Sequence, residues 1–356
     1  MTTSTPGIPT TPTSSFAVFW RRSAAGRTAL LYLLPALLVM LVMTFYPLAF
    51  QVWMSFTDYG SVKDGNKTFQ TFNPNGGNYR AAQWVGADNY TKIITNDKQF
   101  VAQLGTNFNF LGMVGFNLWW TFSNVFFHVT LGVIIAVILN TEGLWLRRIY
   151  RTIYILPMVI PSIVIATVWR NMFDDKYGAI NMILKLITGP FGISSELLNI
   201  RWFNQVADPI AFIPLPLSYY AMLIANIWLG WPFMTIVATG ALQSIPKDMY
   251  EAADIDGATR LQQFWNITLP LLRPAMIPAA MVGMVMTFNL FHVIYFMSGG
   301  APLGRTEILV TQAFKLININ RLYGTAAAFC VFIALILMPI FLFTNYVSRA
   351  TESYDA

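Results

Sequence analysis

The chain has 356 residues, of which 56% are hydrophobic and 11% are charged, and its formal net charge is +6. This balance excludes an ordinary soluble globular domain and predicts an all-α, polytopic membrane protein. Much of the positive charge lies in short loops between apolar segments, where it indicates orientation in a bilayer rather than binding to nucleic acid.

The N-terminal segment, residues 1–28, begins with a run of Ser, Thr and Pro that offers little to bury. We expect it to be a disordered tail on the cytoplasmic side. The apolar run at 29–50 is long enough to cross a hydrocarbon core of about 30 Å. It exceeds the roughly 7 to 15 residues of a signal-peptide core, so it predicts a retained first span.

Five further apolar segments predict five more membrane spans. The third contains Pro157 and Pro161, and since a proline leaves a backbone carbonyl unpaired, we expect this helix to face the core of the bundle. Two polar loops, at 59–105 and 173–212, are expected outside the cell. The predicted spans are 29–50, 112–139, 154–171, 217–240, 275–297 and 324–346, in a membrane domain at 29–348 followed by a cytoplasmic tail at 349–356.

Basic residues cluster in the short loops that follow the second and fourth spans. If the N-terminus is cytoplasmic, counting crossings places residues 141–151, the loop at 244–270 and the C-terminus on the cytoplasmic side as well. Both basic loops then obey the positive-inside rule. The sequence therefore predicts a multi-pass protein of a bacterial cell membrane with both termini inside.

Several kinds of chemistry have no motif in this sequence. It contains no GxxxxGK[ST] phosphate-binding loop, no HExxH and only one cysteine, Cys330, so we predict no nucleotide site, no metal site and no catalytic residues. No carboxylate lies near the centre of a predicted span, which argues against a proton- or sodium-coupled carrier. Any energy source is therefore expected in another chain.

The loop at 244–270 has the local signals of two short helices joined by a tight turn. Ser244 is a candidate cap, and Gly257 is a natural stop because glycine adopts a left-handed conformation without strain. The second helix is expected to begin near Thr259 and to end before Pro270. Its predicted inner face consists of Leu261, Phe264, Trp265 and Thr268.

The segment EAADIDGATRLQQFWNITLP, within this loop, resembles the EAA loop of membrane subunits of bacterial ATP-binding-cassette importers. The resemblance implies a type I importer permease fold and a loop that docks into a separate ATPase. The residues that would carry this coupling are Glu251, Ala252, Ala253, Asp256 and Gly257. An ordinary amphipathic connector with solvated acidic residues is the alternative.

Polar and aromatic side chains gather in the fourth and fifth spans, including Asn226, Trp228 and Trp231. Amides and aromatic faces suit a sugar, but the same residues are also common at membrane interfaces and between helices. Composition alone leaves both interpretations open. For His128 and His292, which lie in predicted spans, a hydrogen-bonded place inside the bundle is favoured over a role in a solute path.

The wider sequence, from about residue 46 to residue 346, is similar to sugar-type permeases of this family, and within them to the larger membrane subunit of maltose importers. The segments NIWLGWPF and FNLFHVIYFMSGGAPLGRTEILV carry this likeness. The substrate contacts that the resemblance implies fall on Asn226, Leu229, Gly230, Phe233, Thr287 and Leu290. The family has Asn at the positions of Thr287 and Leu290, so the resemblance does not identify the sugar.

This resemblance implies a transport subunit that is not itself an enzyme and that moves a maltose- or oligosaccharide-like sugar by alternating access. The implied partners are a second permease subunit, a cytoplasmic ATPase dimer that holds ATP and magnesium, an extracytoplasmic sugar-binding protein and the lipid bilayer. One alternative is the same machinery with another solute, such as glycerol phosphate. A remote one is a membrane-embedded glycosyl-transfer enzyme built on Asp174 and Asp175.

Overall fold

The computed structural model consists mainly of long apolar helices. The tail predicted at 1–28 lies outside the described residues except for Thr28, and so do the last four residues of the chain. The described residues are 28, 31–64, 67–75, 78–104, 107–141, 143–192, 199–210 and 213–352.

Two compact units divide the chain, one ending at Met54 and one beginning at Ser55. The described part of the first unit is helix α1, Leu31–Met54, an apolar helix of 24 residues with a π-helical turn at Leu41–Phe45. Its length is sufficient to cross a bilayer.

The second unit contains a two-stranded hairpin and eleven longer helical segments among the described residues. Its strands are β1 Ser61–Asp64 and β2 Lys67–Gln70. Its helices are α2 Asp88–Thr95, α3 Lys98–Leu104, α4 Phe110–Asn140, α5 Arg147–Val159, α6 Ser162–Met172, α7 Ala179–Thr188, α8 Leu217–Gln243, α9 Lys247–Ile255, α10 Arg260–Ser298, α11 Leu309–Asn318 and α12 Tyr323–Glu352.

Helices α4, α8 and α10 pack together and form the centre of this unit. Gly132 on α4 lets α8 approach closely, because a Cβ there would lie 2.4 Å from the Cβ of Met234. Gly283 on α10 has a similar role, since its Cβ would lie 2.8 Å from Cε of Met234. Small residues at such crossings are typical of helices packed in a membrane.

The number of membrane-crossing helices agrees with the prediction if one bent pair is counted as a single span. Five described helices are long and apolar enough to cross a bilayer, and α5 with α6 would be the sixth, bent by 97°. The chain breaks at Ile160, which is extended, and at Pro161, which precedes α6. Pro157 lies inside α5 without ending it. The predicted third span is therefore broken.

The last helix extends further than predicted. We expected a tail from residue 349, but α12 continues to Glu352. The segment before α12 contains helix α11, whose buried residues include Leu309, Ala313 and Leu316.

The polar loop at 59–105 contains the hairpin and the helices α2 and α3. In the hairpin, Ser61 pairs with Gln70 and Asp64 with Lys67. Asn89, which is 5% exposed, donates from Nδ2 to the carbonyls of Ser55 and Thr57 at 2.9 and 2.8 Å. These bonds anchor α2 to the start of the loop.

The other long loop begins with a turn held by Asp174. Its carboxylate accepts the backbone N–H groups of Lys176 and Tyr177 at 3.0 and 2.8 Å. These two bonds hold the pKa of Asp174 below its ordinary value, first through Tyr177 and then through Lys176. The acidic pair considered for glycosyl-transfer chemistry thus has a local structural role at Asp174.

Candidate functional site

The 244–270 loop contains a compact pair of helices whose turn matches the prediction. Helix α9 ends at Ile255, and Gly257 has a φ of 74°, the left-handed conformation that favours glycine. Thr259 caps α10, since its Oγ1 accepts the N–H of Gln262 at 3.3 Å while Gln262 Oε1 accepts the N–H of Thr259 at 2.8 Å. This reciprocal pair is a capping box, which satisfies two backbone donors at the start of a helix.

Two side-chain bridges fix α9 against α10. The hydroxyls of Tyr250 and Thr268 are 2.9 Å apart, and Nε2 of Gln263 donates to Oδ1 of Asp254 at 2.6 Å. Both bridges join residues on opposite sides of the turn. The loop is therefore a rigid hook whose geometry is set by its own residues.

The residues that the resemblance assigns to coupling lie on the free surface of this hook. Glu251, Ala252, Asp256 and Gly257 are exposed, and Ala253 is half-buried. The side chain of Glu251 has no hydrogen bond or ion pair with the residues that the structure describes. An exposed acidic side chain beside small residues leaves room for another protein to approach α9 closely.

Three details of the loop differ from the prediction. Ser244 does not cap α9, because its Oγ donates to the carbonyl of Ala241 at the end of α8. Leu261 and Trp265 do not face inward and are 67% and 58% exposed. The second helix does not end before Pro270 but continues into the membrane-crossing part of α10.

A π-helical turn at Phe264–Thr268 explains why α10 passes through Pro270. In this turn the N–H of Leu269 bonds to the carbonyl of Phe264, five residues earlier. A proline clashes with the carbonyl four residues before it in regular α geometry. The wider turn changes that spacing, so the helix continues.

A buried polar cluster joins α4 to α8 near the predicted substrate path. Asn226, which is 3% exposed, donates from Nδ2 to Oδ1 of Asn124 at 2.7 Å. Its backbone carbonyl is 2.9 Å from Nε2 of His128, which is 4% exposed. The Asn226 amide is therefore engaged between helices, and His128 has the interior position that was favoured for it.

Gly230 is the contact point between α8 and this histidine. A Cβ at Gly230 would lie 2.2 to 2.4 Å from three ring atoms of His128. Any larger residue would push the ring away from the Asn226 carbonyl. Glycine at this position is required for helix packing, whatever its role toward a solute.

The remaining candidate contacts lie on two neighbouring clusters. Leu229 and Leu290 pack against the same buried group, which includes Ala225 and Val293, whereas Phe233 packs against the group around Met234. Leu229, Phe233 and Leu290 are half-buried, so each keeps part of its side chain accessible. Thr287, by contrast, is only 5% exposed.

His292 does not have the interior position that was favoured for it. It lies on the exposed side of α10, with its ring stacked on that of Phe296 at 6.4 Å between centroids. The helix is interrupted just before it, at Asn289 and Leu290.

The family model of the binding-protein-dependent transport system inner membrane component matches residues 128–353, which include His128, Asn226, the hook and α10. The chain belongs to this family.

Among its relatives in this family, the chain is 30% identical to the galactooligosaccharides transport system permease protein GanP of Bacillus subtilis (strain 168), over 90% of this chain and 69% of that one. It is 31% identical to the trehalose/maltose transport system permease protein MalF of Thermococcus litoralis, over 84% and 85% of the two chains. A chain from the crystal structure of a bacterial ABC transporter involved in import of the acidic polysaccharide alginate shares the fold, with a TM-score of 0.69, 20% identity and coverage of 93% and 98%.

One further buried polar residue of this chain, Asn117, was not predicted from the sequence. Asn117 on α4 is fully buried, and it donates from Nδ2 to the carbonyl of Phe288 while its Oδ1 accepts the N–H of Leu309, at 3.1 and 2.9 Å. It thus holds the interruption of α10 to the start of α11. An amide in an apolar span was the available signal, as it was for Asn124.

Proposed function

We propose that this chain is the sugar-translocating permease subunit of a binding-protein-dependent importer, and that its substrate is an oligosaccharide. The observation that carries the proposal is the exposed, internally braced hook at residues 244–270. The sugar class is supported by relatives whose names specify galactooligosaccharides and trehalose or maltose.

In this proposal the energy comes from a cytoplasmic ATPase dimer, which binds ATP and magnesium and contacts α9. The other partners are a second permease subunit and an extracytoplasmic sugar-binding protein. Because α9 is bridged to α10, a displacement of the hook also displaces the N-terminal end of α10, which extends across the bundle. That movement would switch the solute path between its two openings.

The proposed substrate contacts differ in how accessible their side chains are. Leu229, Phe233 and Leu290 keep part of their surface free, so we assign them to the wall of the path. Asn226 and Gly230 act through the α4 contact and position that wall, and Thr287 lies deeper within the bundle.

The coupling role is tested in the assembled transporter with two loop variants and one control. Gly257→Pro is incompatible with the φ of 74°, because proline fixes φ near about −65°. Glu251→Ala removes an exposed carboxylate without disturbing either bridge. Gly257→Asn is the matched control, since asparagine tolerates the left-handed conformation.

We expect both loop variants to lose sugar uptake and sugar-stimulated ATP hydrolysis, while the control retains them and the purified receptor still binds sugar. Normal uptake by Gly257→Pro and Glu251→Ala would refute the coupling role. A complex that assembles and turns over ATP but carries no oligosaccharide would refute the substrate class.

The proposed orientation has both termini and the hook in the cytoplasm. Ile255 and Tyr177 are 86% and 81% exposed, and they lie in loops predicted to be on opposite sides. With Cys330 replaced by serine, a membrane-impermeant maleimide applied to intact cells should label Tyr177→Cys and leave Ile255→Cys unlabelled. The opposite pattern would reverse the orientation.

A further inference from the structure

A cleft between α5 and the middle of α8 belongs to neither the hook nor the proposed path wall. Its volume is 230 Å³, and its lining includes Tyr150, Tyr154, Trp228 and Trp231. The rings of Tyr154 and Trp231 are 5.8 Å apart between centroids. Aliphatic side chains complete the lining, so the cleft favours an apolar occupant.

One exposed stripe of α5 continues this apolar surface. Ile149, Ile153 and Leu156 recur at helical spacing and are 49%, 55% and 51% exposed. Ile153 and Leu156 also line the cleft. The cleft thus opens directly onto an apolar helix face.

Positive charge lies at the start of the same helix. Nε and Nη2 of Arg151 are buried and have no hydrogen-bond partner among the described residues. Arg147 and Arg148 precede Arg151 by one turn. Arg151 is half-buried, and these two donors have no acceptor among the described residues, so this end of α5 favours an anion.

We propose that α5 and α8 bind an anionic phospholipid, with its phosphate at Arg151 and one acyl chain in the cleft. Arg151 precedes Tyr154 by three residues, so the charged end and the cleft are adjacent on the helix surface. Tyr150 beside Arg151, near the start of α5, is typical of the depth at which lipid headgroups meet hydrocarbon. Basic clefts between membrane helices are known to hold anionic headgroups.

The chemistry of the cleft disfavours other ligands. The side chains of Ile153, Leu156 and Pro157 offer no partner to the hydroxyl groups of a sugar, and leaving such groups unpaired is costly. A soluble phosphate would use the arginine but would not need the apolar stripe. None of the lining residues is among the substrate contacts that the resemblance implies, and Trp228 and Trp231 are the members of the aromatic cluster in α8 that line this cleft.

The experiment measures lipid binding to the purified transporter complex by native mass spectrometry during titration with phosphatidylglycerol or phosphatidylcholine. Arg151→Gln should weaken the apparent affinity for phosphatidylglycerol about fivefold, as expected when one arginine near a membrane surface is lost. Arg151→Lys keeps the charge and should keep the preference for phosphatidylglycerol. Arg201→Gln, a change of an exposed arginine elsewhere, is the matched control and should have no effect.

A second variant tests the acyl chain separately. Ile153→Trp fills the mouth of the cleft at an exposed position, so it should weaken binding of both lipids without impairing folding. Unchanged phosphatidylglycerol affinity in Arg151→Gln would overturn the proposal. So would competition by free glycerol phosphate with no effect of Ile153→Trp, which would indicate a soluble-phosphate site, or lipid binding by the single subunit but not by the complex, which would indicate a subunit interface.

Discussion

Gly230→Ala is the most direct test of how α4 and α8 fit together. The added methyl group would lie 2.2 to 2.4 Å from the His128 ring, and this ring is buried. Either the helices separate or the ring leaves the carbonyl of Asn226. Overpacking costs about 1 to 3 kcal/mol and a lost hydrogen bond about 0.5 to 1.5 kcal/mol, so we expect a loss of about 2 to 4 kcal/mol.

The assay is denaturant-induced unfolding of the purified transporter in detergent, together with sugar uptake in cells. Gly240→Ala is the control, because it lies on the same helix and a Cβ there would meet no atom within 4 Å. The double variant Gly230→Ala with His128→Ala should recover stability, since the truncated side chain leaves room for the methyl group.

Two results would refute this reasoning. If Gly230→Ala is as stable as Gly240→Ala, the close contact does not exist. If the double variant is no more stable than Gly230→Ala, the ring of His128 is not what the methyl group meets. Lost uptake at full stability would instead assign Gly230 directly to the substrate.

Three other changes have expected outcomes. Thr259→Ala removes the capping box and should cost about 1 kcal/mol, seen as faster hydrogen exchange at the start of α10; unchanged exchange would contradict it. Asn117→Leu leaves the carbonyl of Phe288 and the N–H of Leu309 unpaired and should lower the free energy of unfolding by about 2 to 6 kcal/mol, whereas a neutral effect would show that water replaces the amide. Glu307→Ala removes the ion-pair partner of Lys315 and leaves its ammonium with only the carbonyl of Gly299 among the described residues, so it should cost about 3 kcal/mol by the same assay. A stability equal to wild type would mean that the pair is fully screened.

The parts of the structure that the sequence could predict are those with local causes. The turn at Gly257 follows from the conformational freedom of one residue, and the start of α10 follows from a cap within four residues. Helix α4 is equally local, because its 31 residues are apolar almost throughout. The family motif added the functional meaning of the hook, which local physics alone could not supply.

The features that could not be predicted from the sequence depend on partners distant in sequence or on unusual helix geometry. Pro270 was taken as a helix end because the rule assumes regular α geometry, and a π-helical turn removes that assumption. The pairing of Asn226 with Asn124 could not be predicted, because the two residues are 102 positions apart and sequence spacing does not identify such partners. His128 and His292 looked alike in sequence, and only the packing of α4 separates the buried ring from the exposed one.

Helix α10 has a surplus residue near each end, in the π-helical turns at Phe264–Thr268 and Ile294–Ser298. If a π-helical turn moves along the helix, the residues that it passes rotate about the helix axis by about 100°, while the helix keeps its length. Each end of α10 can therefore change which of its side chains face the core, while the segment between the two turns keeps its position along the helix axis.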